Sequence, residues 1–331
     1  MIKPSCVHAP PTVHDVVRCL LFFNGGVAHP HTTLELYLLF IQRQKQMKIN
    51  QKVLMSGADY FSDQFAINAY MDSHVPVSVE KAMAEHEQIR KSLKEAGIEI
   101  VKVDPPAGCQ DGVYTANWAL CKGDIAVMAR LPNKRKGEEP YAEQCLKNIG
   151  KKIVKVPGEL RFSGQGDALP CGNYLFAGSV YRTDPEVHAF LADTLGFEVV
   201  SLQTKPLRSF FGRGKHIINA TTGWPDSYYY DIDLALSVIT DNLIAWCPEA
   251  FMGESAAKIR SLPVEKIEVS LKEAKKAFAC NLVSTGETVV MSAFAPKLKA
   301  ELEKRGLKVI TPVVQELGKG GGYIRCTTLT L

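Results

Sequence analysis

Five times along the chain, a charged stretch of helix-forming residues ends in a turn and runs at once into a short β-rich segment. The junctions are KEAGIEIVKVD from Lys94, KNIGKKIVKVP from Lys147, DTLGFEVVSLQ from Asp193, SLPVEKIEVSL from Ser261 and EKRGLKVITPV from Glu303. Four of them turn on a glycine (Gly97, Gly150, Gly196 and Gly306), the residue that best tolerates the left-handed conformation closing a helix. The other carries Pro263 there. A second echo accompanies the first. NWALCKGDIAVM (Asn117 to Met128) matches NLVSTGETVVM (Asn281 to Met291), with GDALPCGNYLFAG as a looser copy, each reading as strand, tight polar turn and strand. A unit that returns at a period of roughly fifty residues belongs to stacked or circular arrays. Five copies of hairpin, helix and strand predict an α/β chain folded as a fivefold pseudo-symmetric propeller, with small sheets about an axis and helices outside. An ordinary α/β sandwich would not need the glycine turns to recur. The helix expected over Val79 to Ala96 suits an outer position, because Val79, Ala82, Met83, His86, Ile89 and Leu93 share one face.

Charge and cysteine content narrow the class only a little. The net charge of +4 over 331 residues is mild and argues for no particular partner. The nine cysteines include no C-x-x-C pair, which speaks against a zinc ribbon or a thioredoxin motif and suits small core residues in a reducing compartment. No apolar run reaches the length of a membrane span, so no membrane association is expected. Residues 1–50 read as an N-terminal extension and 51–331 as a single α/β-propeller domain. The extension is acid-poor, with only Asp15 and Glu35, and reads either as a targeting segment or as carrying a docking helix, Thr33 to Lys48.

The C-terminus is unusual. KGGGYIRCTTLTL places three glycines and a lone cysteine, Cys326, just before a short Thr-rich strand. Together with VLMSGADYF, DGVYTANWAL, NKRKGEE, GQGDALPCGNYLFAGSVYRTD and FACNLVSTGETVVM, in that order, this tail makes the chain resemble the guanidine-modifying enzymes. That superfamily includes the amidinotransferases, the dimethylarginine dimethylaminohydrolases and the arginine deiminases, and is built on the pentein-type α/β propeller. The resemblance runs from about Lys52 to Leu331 and implies no cofactor. It also implies that Cys326 is the nucleophile attacking a guanidinium carbon, that Asp111 and Asp233 grip the guanidinium, and that Arg182 takes the substrate carboxylate.

The resemblance fails at the proton carriers. The family places a histidine in a motif like YHLDT and a glutamate in one like FEGxGD. Here YYYDIDLAL puts Asp231 at the histidine's place, and FSGQGD keeps Asp167 but puts Ser163 at the glutamate's. An imidazole takes and returns a proton near neutrality, whereas an ordinary aspartate stays ionised and would suppress a neighbouring thiolate. General acid–base help is worth about 10²–10⁴ in rate, so little turnover is expected. His216 is a stand-in imidazole by sequence but reads better as a loop residue. Asp231 and Asp233 have no His or Cys partner for a metal, and none is expected. The retained Cys326, Asp111, Asn117, Asp167, Arg182 and Asp233 read equally as scaffold, with Arg182 pairing to Asp184 or Asp167.

One insertion departs from the family. KPLRSFFGRGKHIINATTGWPDS sets Arg208, Arg213 and Lys215 among Phe210, Phe211 and Trp224. Basic and aromatic residues interleaved in this way can follow a single-stranded nucleic acid, or a partner protein, or pack as a loop. A lost histidine on this fold with an added N-terminal segment is similar to a non-catalytic core subunit of the kinetoplastid mitochondrial RNA-editing substrate-binding complex. That resemblance implies a mitochondrial scaffold whose partners are other protein subunits of an RNA-editing complex, with RNA contact direct or indirect and a homodimer left open. A cytoplasmic location is the alternative, and an active Cys-dependent guanidine hydrolase or amidinotransferase is the alternative function.

Overall fold

Fifteen strands form five three-stranded sheets of one construction in a computed structural model that describes residues 48–72, 74–208 and 215–331. In each sheet an inner strand runs antiparallel to a middle strand, and the middle strand runs parallel to an outer one. The order in the chain is hairpin, helix, strand. Strands β3 (Ala119–Lys122) and β4 (Ile125–Met128) lead through helix α2 (Glu138–Asn148) to β5 (Lys152–Lys155). Strands β6 (Ala168–Cys171) and β7 (Tyr174–Gly178) lead through α3 (Val187–Leu195) to β8 (Glu198–Leu202). The same plan gives β9 (Leu236–Thr240), β10 (Leu243–Trp246), α4 (Gly253–Ser261) and β11 (Glu265–Glu268). The last full copy is β12 (Val283–Ser284), β13 (Thr288–Val290), α6 (Pro296–Lys304) and β14 (Lys308–Ile310). An extra helix, α5 (Leu271–Ala277), precedes it and breaks the repeat.

The first sheet is completed by the end of the chain. β1 (Lys52–Met55) is followed by α1 (Val79–Glu95) and β2 (Glu99–Lys102), and its antiparallel partner is β15 (Leu329–Thr330). Inner strands touch in succession: β15 lies against β3, β6 against β9, and β9 against β12. Ile49 N–H donates to the Thr285 carbonyl beyond β12 at 3.2 Å.

All five helix-to-strand junctions are therefore where the sequence places them, and the glycines do the expected work. Gly97, Gly150, Gly196 and Gly306 have φ of 85°, 85°, 67° and 77°. Helix α1 begins at Ser78, whose hydroxyl accepts from Lys81 N–H, and buries Ala82, His86, Ile89 and Leu93. Sealing Ile89 and Leu93 from water contributes roughly 1.5–3 kcal/mol each. Val79 and Met83 are 37% and 44% exposed, because the helix is covered along a narrower stripe than the sequence suggests. The docking helix expected from Thr33 to Lys48 lies outside the described residues but for its last position.

The terminal glycines have a steric cause. A Cβ on Gly320 would lie 2.3 Å from the Tyr114 hydroxyl, and one on Gly322 would lie 2.4 Å from Tyr114 Cε1. The backbone is thus pressed on a buried phenol whose O–H donates to the Leu317 carbonyl at 2.7 Å. The run makes room for the protein's own Tyr114. Gly320→Ala should lower stability by about 1–3 kcal/mol through overpacking, read as a lower urea midpoint with unchanged slope.

Candidate functional site

The site is built from turns just before the inner strands. Asn117 lies two residues before β3, Asp167 one before β6, Asp233 three before β9, Asn281 two before β12, and Thr327 two before β15. Every one of these side chains is buried. Cys326 precedes β15 by three residues and is 3% exposed. β-Pairing at the end of the chain therefore fixes the thiol.

Asn281 holds Cys326 from two sides. Its Oδ1 accepts from Cys326 N–H at 3.1 Å, and its Nδ2 donates to Cys326 Sγ at 3.1 Å. The thiol in turn donates to Asp233 Oδ2 at 3.4 Å. Burial, and then the neighbouring Asp233 charge, push the thiol well above its usual range. Burial and Asp231 likewise push Asp233 well up, against the pull of Arg325. The sulfur is accordingly a protonated donor.

Asp231 is also displaced from ordinary behaviour. Its Oδ2 accepts from Asn117 Nδ2 at 2.7 Å, and Asn117 Nδ2 lies 3.0 Å from Ser163 Oγ. Burial raises its pKa, opposed first by Arg182 and then by Ser163 and Asn117. The shift is toward the neutral acid, where the sequence suggests an ordinary aspartate. Asp167 accepts from Ile232 N–H at 3.1 Å and is raised by burial and by Asp231. One oxygen on each of Asp167, Asp231 and Asp233 is buried without a hydrogen-bond partner. Burial with so few donors works against the charged form of each carboxyl.

Two arginines complete the centre. Arg182 donates to the Ile67 carbonyl at 2.5 Å and lies 4.8 Å from the Tyr230 ring centroid. It does not pair with Asp184, whose carboxylate is taken by Arg161 at 2.6 Å. Arg135, which the sequence reading missed, is buried in an ion pair with Glu138 at 2.7 Å. It also donates to Asn117 Oδ1 and to the Asp111 and Tyr114 carbonyls. Asp111 accepts from Gln110 Nε2 at 2.9 Å, and burial, opposed by Arg135, moves its pKa up to about 6.

Cys326, Asp231, Asp111, Arg182, Asn117 and Ser163 all line one cavity, whereas Asp167 and Asp233, expected in the site as well, do not line it. Its volume is about 10 Å³, near the lower limit for one water. None of the imidazoles among the described residues lines it. His216 is exposed in a bridge opposite Arg208, His188 lies 2.8 Å from the Gly178 carbonyl, and His86 is buried on α1 with its pKa lowered to about 4 by desolvation. In the basic insertion, Phe210, Phe211 and Arg213 lie outside the described residues. Lys215 is exposed, and Trp224 is packed on Arg161, 4.9 Å from its ring centroid, so it is engaged by the body. Asn281 was also missed, although NLVSTGETVVM aligns it with Asn117 and the repeat itself was the signal.

Residues 54–331 match the family model described as N,N dimethylarginine dimethylhydrolase, eukaryotic. The chain belongs to the dimethylarginine dimethylhydrolase family. This family member is 32% identical over 282 residues to the N(G),N(G)-dimethylarginine dimethylaminohydrolase of Mycobacterium tuberculosis, covering 85% of this chain and 86% of that protein. It is 30% identical to the bifunctional arginine dihydrolase/ornithine cyclodeaminase ArgZ of Synechocystis, over 84% of this chain and 37% of ArgZ. The crystal structure of the N-terminal domain of ArgZ bound to product, an arginine dihydrolase of cyanobacteria, superimposes with a TM-score of 0.74 at 28% identity. It covers 84% of this chain and 96% of that one.

Two outcomes follow from the protonated centre. An Asp raised from 3.8 to about 6 by folding favours the native state fully below pH ~4, and that contribution is lost as pH rises through about 6. Asp111→Asn should therefore gain about 3 kcal/mol relative to wild type between pH 4 and 7, measured as the difference of two urea-denaturation series. Iodoacetamide at pH 8 should leave Cys326 unmodified in the native protein and alkylate it in urea, as followed by peptide mass mapping.

Proposed function

We propose that this member of the dimethylarginine dimethylhydrolase family is catalytically silent and serves as an interaction scaffold. The observation that carries the reading is the surroundings of Cys326: a protonated thiol donating to a buried carboxyl, beside a cavity of about 10 Å³. Attack on a guanidinium carbon needs a thiolate and a group to protonate the departing amine. Burial raises the pKa values of the thiol, Asp231 and Asp233, and no imidazole among the described residues lines the cavity. The proposal includes the propeller arrangement of the five sheets, supported by the succession of inner-strand contacts. It also includes the partners, protein subunits of a mitochondrial RNA-editing complex, for which the support is the sequence resemblance and the altered proton carriers.

A second reading has its own support. The relatives are named as dimethylarginine and arginine hydrolases, and Cys326 with Asp233 keeps the family's nucleophile and one of its acids. On that reading the chain hydrolyses arginine or a methylarginine, with a buried aspartate as proton carrier. Incubation with L-arginine and with asymmetric dimethylarginine separates the two by mass spectrometric detection of citrulline and ornithine. Silence predicts neither product above the Cys326→Ala background. Product formation that disappears in Cys326→Ala would overturn it in favour of the hydrolase.

A further inference from the structure

A cleft of about 770 Å³, whose lining does not include Cys326, lies between helices α5 and α6 and the segment Val314–Lys319. Its volume is that of a ligand site. Lys272 and Lys276 stand on α5 at a spacing of four, and Lys297 is the second residue of α6. Such a spacing puts the first two on one face and makes them repel each other. No ion pair is made by Lys272, Lys276 or Lys297 among the described residues. The lining carboxylate that could neutralise them, Glu273, is engaged elsewhere. It accepts from Lys297 and Leu298 N–H at 2.9 and 3.1 Å. A fourth cation, Lys319, is held at the rim by Glu316 and by the Pro76 carbonyl.

The same cleft is apolar at its mouth. Phe294 lines it and is 44% exposed, and Leu271 and Val313, adjoining lining residues on either side, are 44% and 50% exposed. Three unpaired cations around exposed apolar side chains form a patch that a solvated surface does not need. The aromatic floor does not suit nucleobases. Phe278 is packed between Tyr70, at 4.9 Å, and Tyr323, stacked at 5.1 Å and 2°, so neither of its faces is free. Tyr323 is further tied by its O–H to the Val314 carbonyl at 2.6 Å. A stacking track requires free faces in series, and here Phe294 is the one exposed ring in the cleft.

We propose that this cleft docks an acidic segment of a partner protein, one bearing an apolar side chain that seats against Phe294 while its carboxylates meet Lys272, Lys276 and Lys297. The assignment is independent of whether Cys326 turns over substrate. Peptides meeting grooves in this way take affinity from the apolar anchor and specificity from charge.

The test is display selection of random dodecapeptides on the full chain, with counter-selection on the triple variant Lys272→Glu, Lys276→Glu, Lys297→Glu. The expected pool is rich in Asp and Glu with an aromatic or aliphatic anchor. A fluorescein-labelled consensus peptide should bind the wild type and lose at least about tenfold in affinity on the triple variant, and more than about threefold on Phe294→Ala. Its binding should weaken with salt. All four positions are exposed, and an unchanged Tm in both variants checks that they fold. Failure to enrich any peptide on wild type over the triple variant, or enrichment of peptides without acidic residues, overturns the proposal. So does tighter binding of a 20-nucleotide oligouridylate that the triple variant abolishes, since the cleft would then take nucleic acid.

Discussion

The centre of the molecule contains more buried carboxyls than it has donors to satisfy. Asp167, Asp231 and Asp233 are each 2% exposed or less, and each leaves an oxygen unpartnered. Removing several like charges from water together is prohibitive unless they neutralise. Burial raises the pKa values of Asp231 and Asp233, and Arg182 and Arg325 oppose it. Within this centre the thiol donates to Asp233, and Asn281 and Asn117 orient Cys326 and Asp231. The cavity beside them is about 10 Å³.

Family membership and site chemistry point in different directions for a physical reason. The fold is maintained by the inner-strand turns and the helix-closing glycines, and all of these are present. Turnover depends on a small number of groups whose pKa values lie near neutrality, and a change at such a group need not disturb the fold. Asp231 shows how such a change can be absorbed. Its carboxyl occupies the donors of Asn117, and a Cβ on Gly166 would fall 2.7 Å from it. A buried acid with such close packing contributes order to the core whether or not it moves a proton.

The architecture was largely legible because each unit carries its own punctuation: a helix, a left-handed glycine, a strand. Helix α5 was not, since it lies between repeats and has no counterpart to align with. At the site, the sequence placed Cys326, Asp231, Asp111 and Arg182 together through resemblance, and the structure gathers them around one cavity. It could not give the size of that cavity, which depends on Tyr114 packing under distant glycines. Arg135 was hidden for another reason. In NKRKGEE a run of cations reads as solvated surface, yet its pairing with Glu138 three residues on takes both groups inside. The upward shift of Asp231 was not legible because burial is a property of the folded environment, not of the residue type.

The pairing of β15 with β1 has a bearing on how the chain is made. Val53 and Leu54 find their antiparallel partners in Thr330 and Leu329, so the first sheet cannot close until those two residues have been made. Contacts this distant in sequence form slowly, and until then β1 presents an open edge of the kind that invites misassembly. Cys326, three residues before β15, is accordingly set in place late, when that strand pairs with β1.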